Sequence, residues 1–412
     1  MADHPGRPGS GRLIVVSEFM HSNDLPSAAG TRVKALMDFM TQKGWDVLEV
    51  VPLVDIDGRH STEPLANVKK LITYETRRHD LGSPFAAIFL PSDLRAYLYV
   101  FRDFRPDVVL ISGYSPFLLV EPLVVCKLLA IPVAYDVLDS WLLLSVFHPG
   151  RLRNWVRRAI ENYALSHGDL VVGVTKTQVD LLERAYGLDP DRVMLVPRGA
   201  DPVQQTHARS PAKYDIIHVG PPRDYYDNEG LLEFLVRLSS LRSDLRFAFL
   251  GIAEGAVKTR LEGELAKRSL RDLTDLIPPV PRSEVLNWTR TARAGVITST
   301  KNPIYRAAIS TKSFDYINAG IPILFLGLAH SEQAEFIERY GIGRVAETPS
   351  ALANQANEIL SDKRALEEFG ANAQKASSLL AWTKILEPFY RRMAMLSATR
   401  GGLDGGAESG PE

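Results

Sequence analysis

The amino-acid sequence predicts an α/β protein with two Rossmann-like domains, each a doubly wound parallel sheet, facing each other across a cleft, with a C-terminal helix crossing back to the first domain. Short apolar runs alternate with helical periodicity from Leu13 to Leu396, a pattern typical of parallel sheets covered by helices. The chain has 412 residues, more than one ordinary core accommodates. A polar segment at residues 202–213 divides the pattern into two series.

The first series begins with a β-branched run at Leu13 to Ser17, from which a polar loop leads through Gly30 into a helical pattern. Further strands are predicted at Asp46 to Pro52, Pro106 to Ile111, Ile131 to Tyr135, Asp169 to Val174 and Arg192 to Val196, and helices at Thr31 to Lys43, Phe117 to Leu129, Asn154 to Ser166 and Lys176 to Tyr186. Ligands of such sheets bind beyond the carboxyl ends of the strands, so the loops at those ends are the candidate sites.

The second series has the same alternation. Its strands are predicted at Asp215 to Val219, Arg246 to Leu250, near Leu276, Gly295 to Thr298 and Ile321 to Phe325, and its helices at Glu229 to Leu238, Val257 to Arg268, Ser283 to Ala292, within Ala307 to Leu324, and at Ser331 to Arg339, Pro349 to Leu360, Leu366 to Ser378 and Ala381 to Leu396. The sequence therefore predicts a second Rossmann-like sheet, whose last major strand-helix-strand crossover contains residues 307–324.

These patterns set the predicted domain limits. The first domain takes residues 13–201, the linker 202–213, the second domain 214–380 and the returning helix 381–397. Residues 1–12 are rich in Gly and Pro, and residues 398–412 are rich in Gly and acidic side chains. Both termini are therefore expected to be disordered.

Composition excludes several classes of protein. A net charge of -1 gives no general attraction to nucleic acid, so no nucleic-acid partner is expected. The single cysteine, Cys126, rules out an internal disulfide framework and a thiolate zinc site. The N-terminus lacks the apolar region of a signal peptide, and no apolar stretch reaches the length of a membrane span. A cytoplasmic protein, at most peripheral to the inner membrane face, is expected.

The strongest candidate site lies in residues 307–324, where a polar loop precedes a short helix that ends at Gly320. Helix N-termini carry unpaired N–H groups that favour an anion. Ser310 and Thr311 are good N-cap types and can donate hydroxyl hydrogen bonds. Lys312 and Asp315, three residues apart, share one helix face, which offers a cation for phosphate and a carboxylate for hydroxyls. An ordinary surface ion pair is the alternative interpretation.

The turn after the first strand of the second domain adds Gly220 and Arg223, so this domain is the better candidate for a nucleotide diphosphate. Neither half of the chain has the full G-x-G-x-x-G with an acidic partner, which disfavours a dinucleotide dehydrogenase. The sequence also lacks the G-x(4)-G-K-[ST] motif, which disfavours a P-loop NTPase.

Two loops of the first domain carry polar groups. Gly30, Thr31 and Arg32 follow the first strand, where glycine lets the backbone approach a ligand and arginine can clamp a phosphate or carboxylate. Asp136 and Asp139 follow a buried strand. Asp139 is placed to bind hydroxyls or to steady a developing positive charge, whereas Asp136 is equally well explained as a structural cap.

A basic helix start surrounds one tryptophan in the first domain. It could touch anionic lipid or a phosphorylated acceptor, although a solvated face is the commoner explanation; its residues are Arg151, Arg153, Trp155, Arg157 and Arg158. The nine histidines are scattered, without the spacing of a metal site. No metal and no cofactor are expected.

Several segments, read in order, resemble the GT-B-fold glycosyltransferases, most closely the retaining family four group (glycosyl transferases group 1). They are Gly30 to Val33, Pro106 to Val109, Tyr135 to Trp141, Gly168 to Thr175, Val196 to Asp201, His218 to Gly220, Phe249 to Gly251 and Thr311 to Ile323. Val196 to Asp201 is similar to the family's "VPNGVD" signature, and Thr311 to Ile323 to the "K-x-[FL]-E-Y-x-x-x-G-x-P" variant of its donor motif. Each match is weak alone, but their order and spacing are specific.

The resemblance implies roles for individual residues. The family's E-x(7)-E motif falls on Ala307 and Asp315, so Asp315 is placed to bind the donor ribose, while Ala307 cannot bind a sugar hydroxyl. The diphosphate falls on Ser310, Thr311 and Lys312. Arg223 stands where the family has its phosphate-binding arginine, but Glu229 stands about where a lysine is usual.

The implied function is that of a metal-independent transferase. A nucleotide-sugar donor would be held by Gly220, Arg223, Ser310, Thr311, Lys312 and Asp315, and a glycan, lipid-linked or small-molecule acceptor by Gly30, Thr31, Arg32 and Asp139; Arg223, Lys312 and Asp139 are the candidate catalytic residues. A catalytically degenerate GT-B binding subunit is the main alternative, because Ala307 and Glu229 replace polar contacts. A nucleotide-sugar epimerase is the other.

Overall fold

A computed structural model describes residues 10–17, 28–53, 70–75, 91–145, 150–201, 212–222 and 226–404. The chain divides into two units, one formed by Met1–Pro197 together with Ile385–Glu412 and the other by Arg198–Lys384. The division after Pro197 comes four residues before the predicted end of the first domain at residue 201. Most of the predicted linker, residues 202–211, lies outside the described residues.

Unit 1 contains a seven-stranded sheet in the order β3-β2-β1-β4-β5-β6-β7, in which every pair is parallel. Its strands are β1 Arg12–Ser17, β2 Asp46–Leu53, β3 Lys70–Glu75, β4 Val108–Ser112, β5 Val133–Val137, β6 Leu170–Gly173 and β7 Val193–Leu195. Its helices are α1 Ala28–Gln42, α2 Pro91–Phe104, α3 Pro116–Leu128, α4 Trp141–Leu144, α5 Arg151–His167 and α6 Lys176–Tyr186. Strand order reverses between β1 and β4.

Unit 2 contains a six-stranded parallel sheet in the order β10-β9-β8-β11-β12-β13. Its strands are β8 Tyr214–Val219, β9 Phe247–Leu250, β10 Thr274–Ile277, β11 Ala292–Thr298, β12 Ile323–Leu326 and β13 Gly343–Ala346. Its helices are α7 Asn228–Leu241, α8 Ala256–Lys267, α9 Arg282–Arg290, α10 Lys312–Ala319, α11 Glu332–Tyr340, α12 Pro349–Ser361 and α13 Lys363–Leu379. The prediction of two doubly wound parallel sheets is confirmed.

The last helix, α14, extends from Trp382 to Asp404, so the prediction of disorder from residue 398 is wrong for its first seven residues. From Ile385 onward the helix belongs to unit 1. There Glu387 forms an ion pair with Lys43, and Phe389 and Met393 are fully buried. The returning helix therefore completes the first unit.

The inner strands of the two sheets are buried along most of their length, as continuous apolar runs predict. All five residues of β4 and of β5 are buried, and each unit has its own cluster of buried apolar side chains. Strand order reverses between β8 and β11 in unit 2, as it does between β1 and β4 in unit 1. The carboxyl ends at these two reversals are where doubly wound sheets bind ligands.

Candidate functional site

Helix α10 is fixed against the unit 2 sheet by Tyr316, at the reversal of strand order. The buried Tyr316 hydroxyl lies 3.2 Å from the amide nitrogen of Val219 in β8 and 3.0 Å from the carbonyl oxygen of Val296 in β11. Gly295 gives the ring its space, since a Cβ there would lie 2.5 Å from ring atoms. These contacts hold the N-terminus of α10 at the carboxyl ends of β8 and β11.

The loop before α10 is held by Gln333 of α11, whose Oε1 accepts from the Ser310 amide at 2.8 Å and from the Ser313 hydroxyl at 3.1 Å. The first turn of α10 is closed by backbone hydrogen bonds between residues three apart. The Ser313 and Phe314 amides donate to the carbonyls of Ser310 and Thr311 at 3.0 and 3.1 Å. The expectation that all first-turn N–H groups are unpaired is therefore wrong, and the attraction for an anion rests more on side-chain charge.

Lys312 supplies that charge. Its side chain is only 6% exposed, and Nζ donates to the Tyr226 hydroxyl at 2.7 Å while lying 4.0 Å from the centre of the Tyr226 ring. This is not the surface ion pair of the alternative interpretation. A buried ammonium loses hydration, and the aromatic face and the hydroxyl of Tyr226 are among the groups that replace it. The position favours an arriving anion.

Gly220 keeps space open beside this ammonium. It follows β8 with φ +89°, in the left-handed region that favours glycine, and a Cβ built on it would lie 3.7 Å from Lys312 Nζ. Gly251, after β9, also has a positive φ and packs directly on Gly220. The two glycine turns and the Lys312 ammonium therefore lie together at the carboxyl edge of the sheet.

Asp315 is buried one turn further along α10. Its Oδ1 lies 2.5 Å from Nη1 of Arg282, the first residue of α9. Burial raises the pKa of the Asp315 carboxyl, and the charges of Arg282, Arg198 and Lys312 oppose that rise. Three cations therefore act on this carboxylate.

Arg282, Arg198 and Tyr226 were not predicted as site residues. Arg198 lies 5.8 Å from the centre of the Phe314 ring. Its position in Val196 to Asp201, where the resembling signature has asparagine, was a usable signal. Arg282 follows the carboxyl end of β10, so its position in the predicted sheet was the one indication that it could belong to a site. Nothing in the local sequence pairs Tyr226 with Lys312, 86 residues away.

A buried histidine completes the surroundings of Lys312. His218, in β8, packs against Phe249, with ring centroids 5.5 Å apart, and edge-on to Tyr226. Burial and then the Lys312 charge hold the pKa of His218 well below its usual value. The imidazole is neutral, so it adds no further positive charge next to the ammonium.

This neutral histidine makes stability depend on pH. Above pH about 6.5 both folded and unfolded His218 are neutral; below it, only the unfolded chain binds the proton, so stability falls by roughly 1.4 kcal/mol per pH unit until the folded pKa is reached. We expect His218→Gln to lose less stability than the wild type between about pH 6.5 and 5. Urea unfolding at several pH values measures this. If the unfolding free energies of the two proteins changed with pH in parallel, the prediction would be contradicted.

In unit 1, Arg32 clamps a carboxylate, but that of Asp136 and not that of a ligand. The side chain is 1% exposed; Nη2 and Nε donate to Asp136 Oδ1 at 2.8 and 3.0 Å, and Nη1 donates to the Pro197 carbonyl at 3.1 Å. Ser112 Oγ adds a contact of 3.1 Å to the same carboxylate. The predicted contact of Arg32 with an acceptor is thus corrected to a structural one, and Asp136 is its partner.

Gly30 is also placed differently from the prediction. It is the third residue of α1, which begins at Ala28, and is not in a turn before the helix. It is buried, whereas Thr31 is half-buried. An acceptor role for Gly30 and Thr31 stays a prediction.

Asp139 is the predicted acceptor residue that remains open to solvent. It is exposed, yet desolvation raises the pKa of its carboxyl. The next residue, Ser140, caps α4 and donates to the buried Glu161 at 2.9 Å, which fixes the backbone after β5.

The sequence after β8 contains Arg223, a predicted phosphate contact, and Glu229, which stands about where the resembling family has a lysine. Glu229 is exposed on α7 and pairs with Arg268 at 2.7 Å, so it takes no part in the surroundings of Lys312. Arg223 lies outside the described residues.

The basic residues of α5 divide into two groups. Arg157 is buried, with its guanidinium 4.2 Å from the centre of the Trp141 ring, so its predicted lipid contact is wrong. Arg151, Trp155 and Arg158 are exposed and Arg153 is half-buried. Within the described ranges, no helix is long and apolar enough to cross a bilayer, and no three His, Cys, Asp or Glu side chains converge as metal ligands.

Comparison with known proteins adds a family match in the first unit. Residues 27–199 match the model of the glycosyl transferase 4-like domain. The D-inositol 3-phosphate glycosyltransferase of Paenarthrobacter aurescens is 24% identical over 230 residues, which cover 52% of this chain and 54% of that protein. That of Xylanimonas cellulosilytica is 25% identical over 238 residues, covering 54% and 56%. The chain thus spans about half the length of the curated relatives it matches.

Solved structures are similar over nearly the whole chain. Sucrose-phosphate synthase from Thermosynechococcus elongatus has a TM-score of 0.69 at 17% identity, covering 95% of this chain and 100% of that chain. Anabaena Alr3699/HepE in complex with UDP and glucose has a TM-score of 0.70 at 13% identity, covering 93% and 100%. At such identities the likeness establishes the fold.

Proposed function

We propose that this chain, which has the GT-B fold and whose residues 27–199 match the model of the glycosyl transferase 4-like domain, transfers a sugar from a nucleotide-diphosphate-sugar donor to an acceptor, with retention of the anomeric configuration. The observation that carries the proposal is the buried Lys312 ammonium beside Gly220, at the carboxyl edge of the unit 2 sheet. A diphosphate is the anion that fits such a position in a GT-B protein. The Anabaena neighbour contains UDP and glucose, which supports a donor of this class.

Lys312 would stabilise the charge that develops on the leaving diphosphate. A cation that is already positioned and poorly hydrated needs little reorganisation when the sugar-phosphate bond breaks. The Ser310 and Thr311 hydroxyls lie at the start of the same helix and would donate to phosphate oxygens, and Arg223 is proposed to join them. In this arrangement side-chain cations take the role that a metal ion has in other transferases, so we expect transfer to continue in the presence of a chelator.

Asp315 would accept hydrogen bonds from the donor ribose. Its carboxylate is oriented by Arg282; burial raises the pKa of this carboxyl, and the charges of Arg282, Arg198 and Lys312 oppose that rise. Ala307 is buried in the turn before α10 and offers no polar side chain to the sugar. Other residues would therefore hold the sugar.

Asp139 is the proposed acceptor contact in unit 1. Its exposed carboxylate can accept from an acceptor hydroxyl or face the positive charge that develops on the sugar. The acceptor is a glycan, a lipid-linked saccharide or a small molecule. Because the curated relatives are named for D-inositol 3-phosphate, a phosphorylated polyol belongs among the acceptors to be tried.

Donor binding and donor turnover test the proposal separately. We expect UDP, GDP or ADP to raise the melting temperature of the full chain, since ligand binding stabilises the folded state by mass action. We expect the matching nucleotide sugar to be hydrolysed slowly without acceptor, releasing nucleoside diphosphate that chromatography detects. Stabilisation without turnover, with or without candidate acceptors, would point to a degenerate binding subunit. An epimerised sugar would point to an epimerase. No stabilisation by any nucleotide would contradict the proposal.

A further inference from the structure

Helix α5 presents an apolar stripe to solvent. Leu152 is 75% exposed, Trp155 66% and Tyr163 52%, and Ala159 between them is exposed as well. At 3.6 residues per turn these four residues fall within an arc of about 80° on one side of the helix. Helices of globular proteins normally bury such a stripe against the core. Here the core-facing side is the opposite one, formed by Arg157, Glu161, Ala164 and Leu165.

The charges on the exposed side have one sign. Arg151 and Arg158 are exposed and border the stripe on one flank, and the half-buried Arg153 lies beyond the other. Glu161 is the single acidic residue of α5, and it is buried and bonded to Ser140 and Tyr186. The exposed side of the helix therefore combines large apolar side chains with arginines and has no carboxylate.

We propose that this face, formed by Arg151, Leu152, Trp155, Arg158 and Tyr163, docks unit 1 on an anionic lipid surface. An interfacial helix has this arrangement, with an apolar stripe pointing into the headgroup region and cations beside it. Tryptophan and tyrosine are the residues that settle at that depth, because an apolar ring carries a polar edge. The inference is independent of the proposed transfer reaction.

Charge decides between lipid and a second copy of the chain. A symmetric contact through this face would bring two sets of Arg151 and Arg158 together without a carboxylate to pair them, and like charges oppose association. Anionic headgroups supply the missing negative charge. The buried Arg157 does not contact the lipid in this proposal. The proposed face therefore differs from the set of residues expected from the sequence, which included Arg157.

Vesicle sedimentation with the full chain tests the proposal. We expect the protein to pellet with phosphatidylcholine vesicles that contain phosphatidylglycerol, and much less with phosphatidylcholine alone or at high salt. The double variant R151Q/R158Q should bind about 25-fold more weakly, since each basic residue near such a surface contributes about five-fold. The variant L152S/W155S should lose binding even at low salt. Tyr99→Ser and Arg184→Gln are matched controls, because they change an exposed aromatic on α2 and an exposed arginine on α6.

Trp155 also provides a direct reading. The vesicle-induced blue shift of tryptophan fluorescence should disappear in Trp155→Phe, while pelleting is largely kept. Equal pelleting of wild type and L152S/W155S would overturn the proposal, as would binding that ignores phosphatidylglycerol. A concentration-dependent dimer that L152S/W155S abolishes would also overturn it, because the face would then be a contact between copies. Melting temperatures establish that each variant is folded.

Discussion

Replacing Lys312 with alanine should lower the rate of sugar transfer by about 10²–10³-fold, the loss found when a positioned group that stabilises transition-state charge is removed. Nucleoside diphosphate should then no longer raise the melting temperature. The protein without ligand should be as stable as the wild type or more so, because the variant no longer buries a cation against Tyr226. Melting curves with and without nucleotide, together with single-turnover rates, measure all three effects.

Two further variants locate the effect. Lys301→Ala removes an exposed lysine from the loop after β11 and should leave binding and transfer unchanged. Tyr226→Phe keeps the ring face but removes the hydroxyl that accepts from Lys312 at 2.7 Å, so a loss of only a few-fold is expected. Unchanged nucleotide binding and transfer in a folded Lys312→Ala protein would show that the leaving-group role is wrong.

Replacing Asp136 with alanine should destabilise unit 1 by about 3–5 kcal/mol, because Arg32 would keep its charge in a place where water cannot reach it. The urea midpoint and the melting temperature of the first unfolding step measure this. An exposed pair serves as control: Asp180→Ala removes the partner of Lys176 on α6, where less than about 1 kcal/mol is expected.

The double variant R32M/D136L separates charge from packing. It removes both charges and keeps apolar bulk, so it should regain much of the stability that Asp136→Ala loses. A double variant as unstable as the single one would mean that the Arg32 contact with the Pro197 carbonyl is the more important interaction.

The sequence predicts the buried parts of both sheets well, because a strand covered on both faces is apolar throughout. It does not reveal β3 or β13, which lie at the edges of their sheets. β13 has the sequence Gly-Arg-Val-Ala, of which only the ends are buried, so it lacks a recognisable apolar run.

The site shows the same limit. Lys312 and Asp315 are recognisable because the signal is local, with two charged residues three apart at a helix start after a buried strand. Their partners Tyr226 and Arg282 come from other crossovers, and only folding brings them together. Arg32 shows the converse. Its position after the first strand suggests a ligand, but burial beside Asp136 makes it structural.

The return of α14 to unit 1 has a consequence for synthesis on the ribosome. Unit 1 includes Ile385–Glu412, so translation must pass through the whole of Arg198–Lys384 before the first unit has all its residues. At about 5–20 residues per second, those roughly 190 residues take about 10–40 s. During this time Glu387, the ion-pair partner of Lys43, has not yet been synthesised. The same is true of Phe389 and Met393, whose side chains are buried in the complete unit. The nascent first unit therefore stays incomplete until the last helix has been synthesised.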